Sequence, residues 1–307
     1  MAGYRIGLAL GGGAARGWSH IGVIEALLAG GIAPTVVAGT SMGALVGGAY
    51  AAGRLDALKA WALALDRRAM MALVDINLAT GGIVDGQRIL QLLRDLGIDG
   101  EIAAFAVAYA AVATDLADGR EFWLRQGPAD IAIRASISMP GIFSPVLVGD
   151  RWLVDGGLVN QVPVSTCRAL GADFVIAVHV GDGLLGRRRE KLRVDPEGEA
   201  TARAARAAQM LEQVPAALRE TAGRILPHLL KGGTRAPGYF DVLVNSLNIM
   251  QEKITRSRLA GEPPHALIAP EVAAINLLDF DRAEDAVAAG RAAAEKALDA
   301  IREQLSR

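Results

Sequence analysis

The sequence predicts a three-layer α/β fold with a central, mostly parallel sheet, plus a C-terminal helical extension. Three observations carry this. Short apolar runs alternate with helical-period stretches from Ile6 to Gly53. Strand, helix, strand, helix in so short a span implies a parallel sheet with crossover helices. The texture then changes after Gly183, and the remaining chain reads as mostly helical.

Each element follows from local pattern. Ile6–Leu10 is a short apolar run ending in glycines, which suits a buried parallel strand. Trp18–Ala29 puts Ile21, Ile24, Leu27 and Leu28 on one helical face. Thr35–Ala38 reads as a second strand and Met42–Ala52 as a second helix. Further strands are expected at 106–113, 121–124 and 174–179, and helices at 87–96, 129–137 and 163–170. The runs 145–148 and 151–154 flank Gly149-Asp150, where glycine at the first loop position suits a type II′ hairpin. Residues 184–235 hold eleven Arg and Lys against six Asp and Glu, a net of +5, and read as a loop followed by one or two helices. A longer helix is expected over 239–259, a last strand over 266–269 and an Ala-rich helix over 282–305. The division this implies is a catalytic domain over 5–180 and a helical extension over 181–307 that packs on it.

Bulk composition narrows the function classes. The chain has 307 residues, 52% hydrophobic and 21% charged, as in an ordinary globular protein. A formal net charge of −1 provides no field to attract nucleic acid. Cys167 is the one cysteine, so no internal disulfide forms. The longest apolar stretch, 102–113, is shorter than the roughly 20 residues of a spanning helix. The N-terminal run is too short and glycine-rich for a signal peptide. A cytoplasmic location is expected, with membrane association as an added option. No cluster has metal-ligand spacing, and no cofactor is expected. The sequence carries no signal for an oligomeric state.

Three motifs carry chemistry. Gly11-Gly12-Gly13-Ala14-Ala15-Arg16-Gly17 lies between a strand and a helix. Its backbone N–H groups and the helix dipole can hold a phosphate or a transient oxyanion. A dinucleotide fingerprint is disfavoured, because Arg16 takes the third glycine position and the next strand closes without an acid. A purely structural turn is the competing reading. Gly39-Thr40-Ser41-Met42-Gly43 fits G-x-S-x-G in a strand–turn–helix context, which marks Ser41 as a nucleophile. The bland alternative is a helix-capping serine. Trp152-Leu153-Val154-Asp155-Gly156-Gly157 puts an aspartate where a strand breaks into glycines, as a base or as a plain turn residue. A serine hydroxyl needs a general base. Asp155 is one candidate; a triad in the order Ser41, Asp155, His179 is the other, although its elbow would follow unusually few strands.

Together the three motifs resemble the patatin-like phospholipases, in order and spacing. The segment Ala135-Ser136-Ile137-Ser138-Met139-Pro140 and the later stretches 248–264 and 277–290 are also similar, the latter to the bacterial RssA-like branch grouped with neuropathy target esterase. The resemblance implies a serine acyl hydrolase that cleaves carboxylic esters of lipids. It implies a Ser41–Asp155 dyad without histidine and an acyl-enzyme. The oxyanion hole would be the Gly11, Gly12 and Gly13 loop, with Gly12 and Gly13 as the N–H donors and Arg16 in support. Gly39, Gly43, Gly156 and Gly157 would shape the motifs. Two other readings remain: a general carboxylesterase with the His179 triad, and a regulatory homologue whose role is binding. His20 reads as a structural brace of the loop and Asp115 as a turn residue. The partner expected is a lipid ester substrate, with no nucleic acid. The basic run in 184–235 reads first as solvated surface and second as a peripheral contact with an anionic membrane.

Overall fold

A computed structural model of the chain describes residues 3–66, 69–70, 84–181 and 239–306. Eight strands form one sheet: β1 (Ile6–Leu10), β2 (Val36–Thr40), β3 (Ala108–Asp115), β4 (Glu121–Leu124), β5 (Val146–Val148), β6 (Arg151–Asp155), β7 (Phe174–Val178) and β8 (Ala266–Ile268). Their order is β5-β6-β3-β2-β1-β7-β8, with β4 also paired to β3. The ladders of β3, β2, β1, β7 and β8 are parallel, while β4 and β6 meet β3 antiparallel. The expected mostly parallel sheet is therefore present. Strand β2 runs to Thr40 because Gly39 and Thr40 continue the ladder with Ala111 and Val112. The β5–β6 hairpin turns at Gly149, whose φ of 62° matches the expected turn.

Helices α1 (Ser19–Ala29), α2 (Met42–Ala51), α3 (Leu55–Leu63), α4 (Gln87–Asp95), α5 (Ala129–Ser136), α6 (Val164–Ala169), α7 (Tyr239–Gly261) and α8 (Ala283–Leu305) accompany the sheet. Alternation along the strands sorts two cores. Leu8, Leu10, Val37, Ile176 and Val178 pack with α1, α2, α5 and α8, whereas Ala9, Val36, Ala38, Val175 and Ala177 face Val164 and Cys167 of α6. The second face is built of small and medium side chains, and α6 lies close: a Cβ on Gly7 would fall 3.2 Å from Cys167 Cβ. Helix α3 was not expected, though Leu55, Leu58 and Ala62 at helical spacing are the residues it buries.

The expected extension over 181–307 is divided differently. One compact unit comprises 1–182 together with 248–307, and a second comprises 183–247. The reason lies in two contacts made by the later segment. Strand β8 pairs with β7, and α8 packs on α1. The basic segment 184–235, with the loop and helices expected there, lies outside the described residues. Among the described residues, no helix is long and apolar enough to cross a membrane.

Helices α1 and α8 touch backbone to backbone. A Cβ on Gly22 would sit 1.9 Å from Val287 O, and one on Gly290 1.9 Å from Ser19 O. Neither clash can be relieved by a side-chain rotation, so the helices must separate. We expect Gly290→Ala to lower stability by about 1–3 kcal/mol, as overpacking typically does. Urea unfolding checks this, and an unchanged midpoint would contradict the close packing.

Candidate active site

Register places the site. Thr40 pairs with Val112 of β3, and Asp155 pairs with the next residue, Ala113. The ends of β2 and β6 thus meet one residue apart along a shared strand. Ser41 follows Thr40 with φ 54° and ψ −121°, a backbone that side chains rarely adopt, and α2 begins at Met42. Such strain persists only when its surroundings enforce it. The flanking glycines are part of that enforcement: a Cβ on Gly43 would lie 2.1 Å from Leu10 O, and one on Gly39 2.3 Å from Gly43 O. Ser41 N–H donates to Ser136 Oγ at 2.9 Å, and the Ser136 hydroxyl donates to Val112 O at 2.5 Å. Thr40 Oγ1 donates to Asn160 O at 2.7 Å, which ties the elbow to the chain just after Asp155.

Asp155 is 1% exposed. Its Oδ1 accepts from Gly157 N–H at 2.7 Å. Its Oδ2 has no hydrogen bond of good geometry, yet the Ser41 hydroxyl is near enough to act on the carboxylate as a donor. Burial is the strongest influence and pushes the pKa up from 3.8 to about 6; the Gly157 N–H and the Ser41 hydroxyl pull the other way. The result is a carboxylate poised beside a serine, able to take up and return a proton near neutral pH.

The glycine loop is more differentiated than expected. Gly11 N–H donates to Val178 O at 3.0 Å, and Gly12 N–H donates to Gln161 O at 3.1 Å. Both are already engaged in holding the loop. Among the described residues, the N–H groups of Gly13 and Ala14 have no partner in the chain, and Ala14 has a positive φ of 49°. Arg16 is buried, and its Nε donates to Ile275 O at 2.9 Å, so it anchors the loop from behind. His20 is fully buried and donates from Nε2 to Gly11 O at 2.7 Å; burial lowers its pKa to about 4, which keeps it neutral.

The other titratable groups singled out in the sequence have partners of their own. His179 Nε2 lies 3.3 Å from Glu252 Oε2, on α7. Burial would raise the Glu252 pKa, but the hydrogen bonds from His179 and Arg256 hold it below the usual carboxylate range. His265 Nδ1 accepts from Val175 N–H, and its ring stacks on Phe174. His228 lies outside the described residues. Asp115 is a turn residue whose Oδ1 accepts from Ala117 N–H and whose Oδ2 accepts from Arg151. Among the described residues, no group of His, Cys, Asp and Glu is arranged to hold a metal.

Comparison with known proteins accords with this geometry. The patatin-like phospholipase family model matches residues 8–168, which include the elbow, the glycine loop and Asp155. The chain belongs to this family. An NTE family protein of Mycobacterium tuberculosis is 36% identical, covering 97% of this chain and 92% of its own length. A second NTE family protein of that organism is 31% identical across 98% of this chain and 47% of its own. Lysophospholipase NTE1 of Yarrowia lipolytica is 35% identical over 59% of this chain, which corresponds to 14% of that protein.

Several residues of this patatin-like site carried no motif signal. Ser136 sits in a segment noted for its resemblance, but its bond to Ser41 was not legible. Gln161, Asn160, Gln251 and Glu252 went unremarked. Their contacts reach far along the chain, as in the bond from Gln161 Nε2 to Gly12 O across 149 residues and the approach of Glu252 to His179.

The buried carboxylate has a consequence for stability. Because the folded pKa of Asp155 is raised, the native state binds this proton more tightly than the unfolded chain does. The group's stabilising effect is complete below 3.8 and is lost as pH rises through about 6. Asp155→Asn keeps an acceptor for Gly157 and removes the buried charge. We expect this variant to be more stable than the parent at pH 8 by about 1–3 kcal/mol and equal to it in acid. Thermal unfolding at the two pH values decides it; a variant destabilised at pH 8 would contradict the desolvation argument.

Proposed function

We propose that the protein is a serine acyl hydrolase that cleaves carboxylic esters of lipids, with Ser41 and Asp155 as a catalytic dyad. One observation carries the reading: a buried carboxylate with one oxygen unclaimed by any other described residue lies beside the hydroxyl of a strained G-x-S-x-G serine. Family membership supports the substrate class.

In this mechanism Ser41 Oγ attacks the acyl carbonyl carbon and passes its proton to Asp155. The developing oxyanion takes hydrogen bonds from Gly13 and Ala14 N–H and from Met42 N–H at the start of α2, aided by the helix dipole. Gly11, Gly12 and Arg16 keep the loop in shape rather than donate. The tetrahedral intermediate collapses, the alcohol leaves with the proton from Asp155, and an acyl-Ser41 ester remains. Water then attacks that ester, Asp155 takes the water's proton, and the C–O bond to Ser41 breaks as Asp155 returns a proton to Oγ.

The triad reading has less support. His179 is occupied by Glu252, while Asp155 is held by Gly157 and faces Ser41. A peripheral membrane contact through residues 184–235 is a separate proposal that rests on charge alone.

We expect a fluorophosphonate to label Ser41, and Ser41→Ala and Asp155→Asn each to remove esterase activity by at least about a thousandfold, as for residues that act as one unit. His179→Ala should retain most of the rate. Labelling at another serine, or collapse of activity in a folded His179→Ala protein, would point to a different mechanism.

The base must be ionised to accept the proton, so kcat/KM should rise with pH and level off above about 6. A profile on a neutral short-chain ester tests this. A rate independent of pH between 5 and 8 would remove Asp155 as the base.

A further inference from the structure

One peptide unit separates the anchored part of the glycine loop from its free part. Before it, the backbone groups of Gly11 and Gly12 are all engaged. Gly11 N–H donates to Val178 O at 3.0 Å, and Gly11 O accepts from His20 Nε2 at 2.7 Å. Gly12 N–H donates to Gln161 O at 3.1 Å, and Gly12 O accepts from Gln161 Nε2 at 2.9 Å. After it, Gly13 N–H has no partner among the described residues. The unit between them joins Gly12 C=O to Gly13 N–H. In a trans peptide these two bonds share a plane and point opposite ways, so whatever fixes the carbonyl also aims the N–H. Among the described residues, only the Gln161 amide holds that carbonyl.

Glycine at both ends leaves the plane without a Cβ to resist its rotation. None would fit: a Cβ on Gly12 would fall 2.9 Å from Gln161 Oε1 and 3.1 Å from Ser41 Cβ, and one on Gly13 2.2 Å from Val180 Cγ2. The orientation of the plane therefore rests on a hydrogen bond. Gln161 is itself delivered by a pinned backbone. Its neighbour Asn160 donates N–H to Gly156 O at 2.9 Å, accepts the Thr40 hydroxyl at 2.7 Å and donates Nδ2 to Glu121 Oε1 at 2.7 Å. Reversing the Gln161 amide would set oxygen against Gly12 O. In the orientation it holds, Oε1 is buried without a donor. Such an acceptor is costly. The amide forgoes its own acceptor bond and keeps the one to Gly12 O.

We propose that Gln161 is a positioning residue for the oxyanion: by holding Gly12 O, its amide aims Gly13 N–H at the acyl oxygen where negative charge develops. The inference rests on the hydrolase reading above. Donors oriented before the reaction are what stabilise such charge. The bond to Gly12 O also polarises the peptide and strengthens its N–H as a donor. Acylation and deacylation both place the charge on the same oxygen, so both depend on this N–H. KM, which follows the ratio of the two steps, is spared.

The test compares p-nitrophenyl butyrate with its thiono counterpart, in which sulfur replaces the carbonyl oxygen and accepts hydrogen bonds poorly. Gln161→Met keeps an unbranched neutral side chain and removes the donor. We expect kcat on the ester to fall about tenfold, less than for outright deletion of an oxyanion donor, with KM within about twofold of the parent. The thionoester rate should change little, so the preference for oxygen shrinks by the same factor. The rise of kcat/KM near pH 6 should stay in place. Equal slowing of both substrates would overturn the proposal, since that marks a displaced nucleophile or base. So would an unchanged ester rate, or a moved pH midpoint, which would assign Gln161 to Asp155 instead. Gln161→Asn, whose amide is one methylene short of Gly12 O, should behave alike and decides the matter if Gln161→Met fails to fold. A parent protein that hydrolyses ester and thionoester equally well would also sink the idea, with no variant needed. Absence of Ser41 labelling by a fluorophosphonate in the parent would instead overturn the hydrolase reading, and this inference with it.

Discussion

A single backbone carbonyl, that of Val112, organises the site. It accepts the Ser136 hydroxyl, which in turn receives the N–H of Ser41. It also lies 2.2 Å from where a Cβ on Gly156 would be, so the turn after Asp155 packs directly against it. Val112 itself pairs with Thr40, and its neighbour Ala113 pairs with Asp155. The Ser41 elbow, the Ser136 brace and the Asp155 carboxylate are therefore all referred to one stretch of β3. A strand buried in the middle of a sheet is among the stiffest parts of a domain, which is the support that a preorganised site needs.

Around this point the chain accepts local costs. Ser41 holds a strained backbone, Asp155 holds a carboxylate in a desolvated place, and Gln161 Oε1 goes without a donor. Strain, desolvation and unpaired polar atoms tend to gather where chemistry is done, because each makes a group more reactive than it would be in water. The surrounding core is correspondingly ordinary: larger aliphatic residues on one face of the sheet, and alanines and valines on the other.

Much of this was legible in the sequence because its signals are local. The elbow needs five consecutive residues, and Asp155 sits at the junction of one strand with two glycines. Periodicity was enough for α1, α2 and α8. What escaped was non-local. Arg16 binds Ile275 O across 259 residues, and nothing around either position announces it. Chain order and a strand-end position offer His179 as a third triad member; its contact with Glu252, on a helix far downstream, was not legible. The continuity of 248–307 with the catalytic unit was hidden for the same reason. A three-residue strand and an alanine-rich helix look like an appendage until their pairing with β7 and α1 is known.

The close contact between α1 and α8 also bears on how the chain acquires its structure during synthesis. Ser19–Ala29 leaves the ribosome long before Ala283–Leu305 does. Helix α1 must therefore wait, its glycine-bearing face uncovered, until α8 arrives. Contacts between distant parts of a chain slow folding through the entropy of closing the loop between them. In this protein the loop so closed contains Ser41 and Asp155, so the candidate site lies within a unit that is complete only once α8 has emerged.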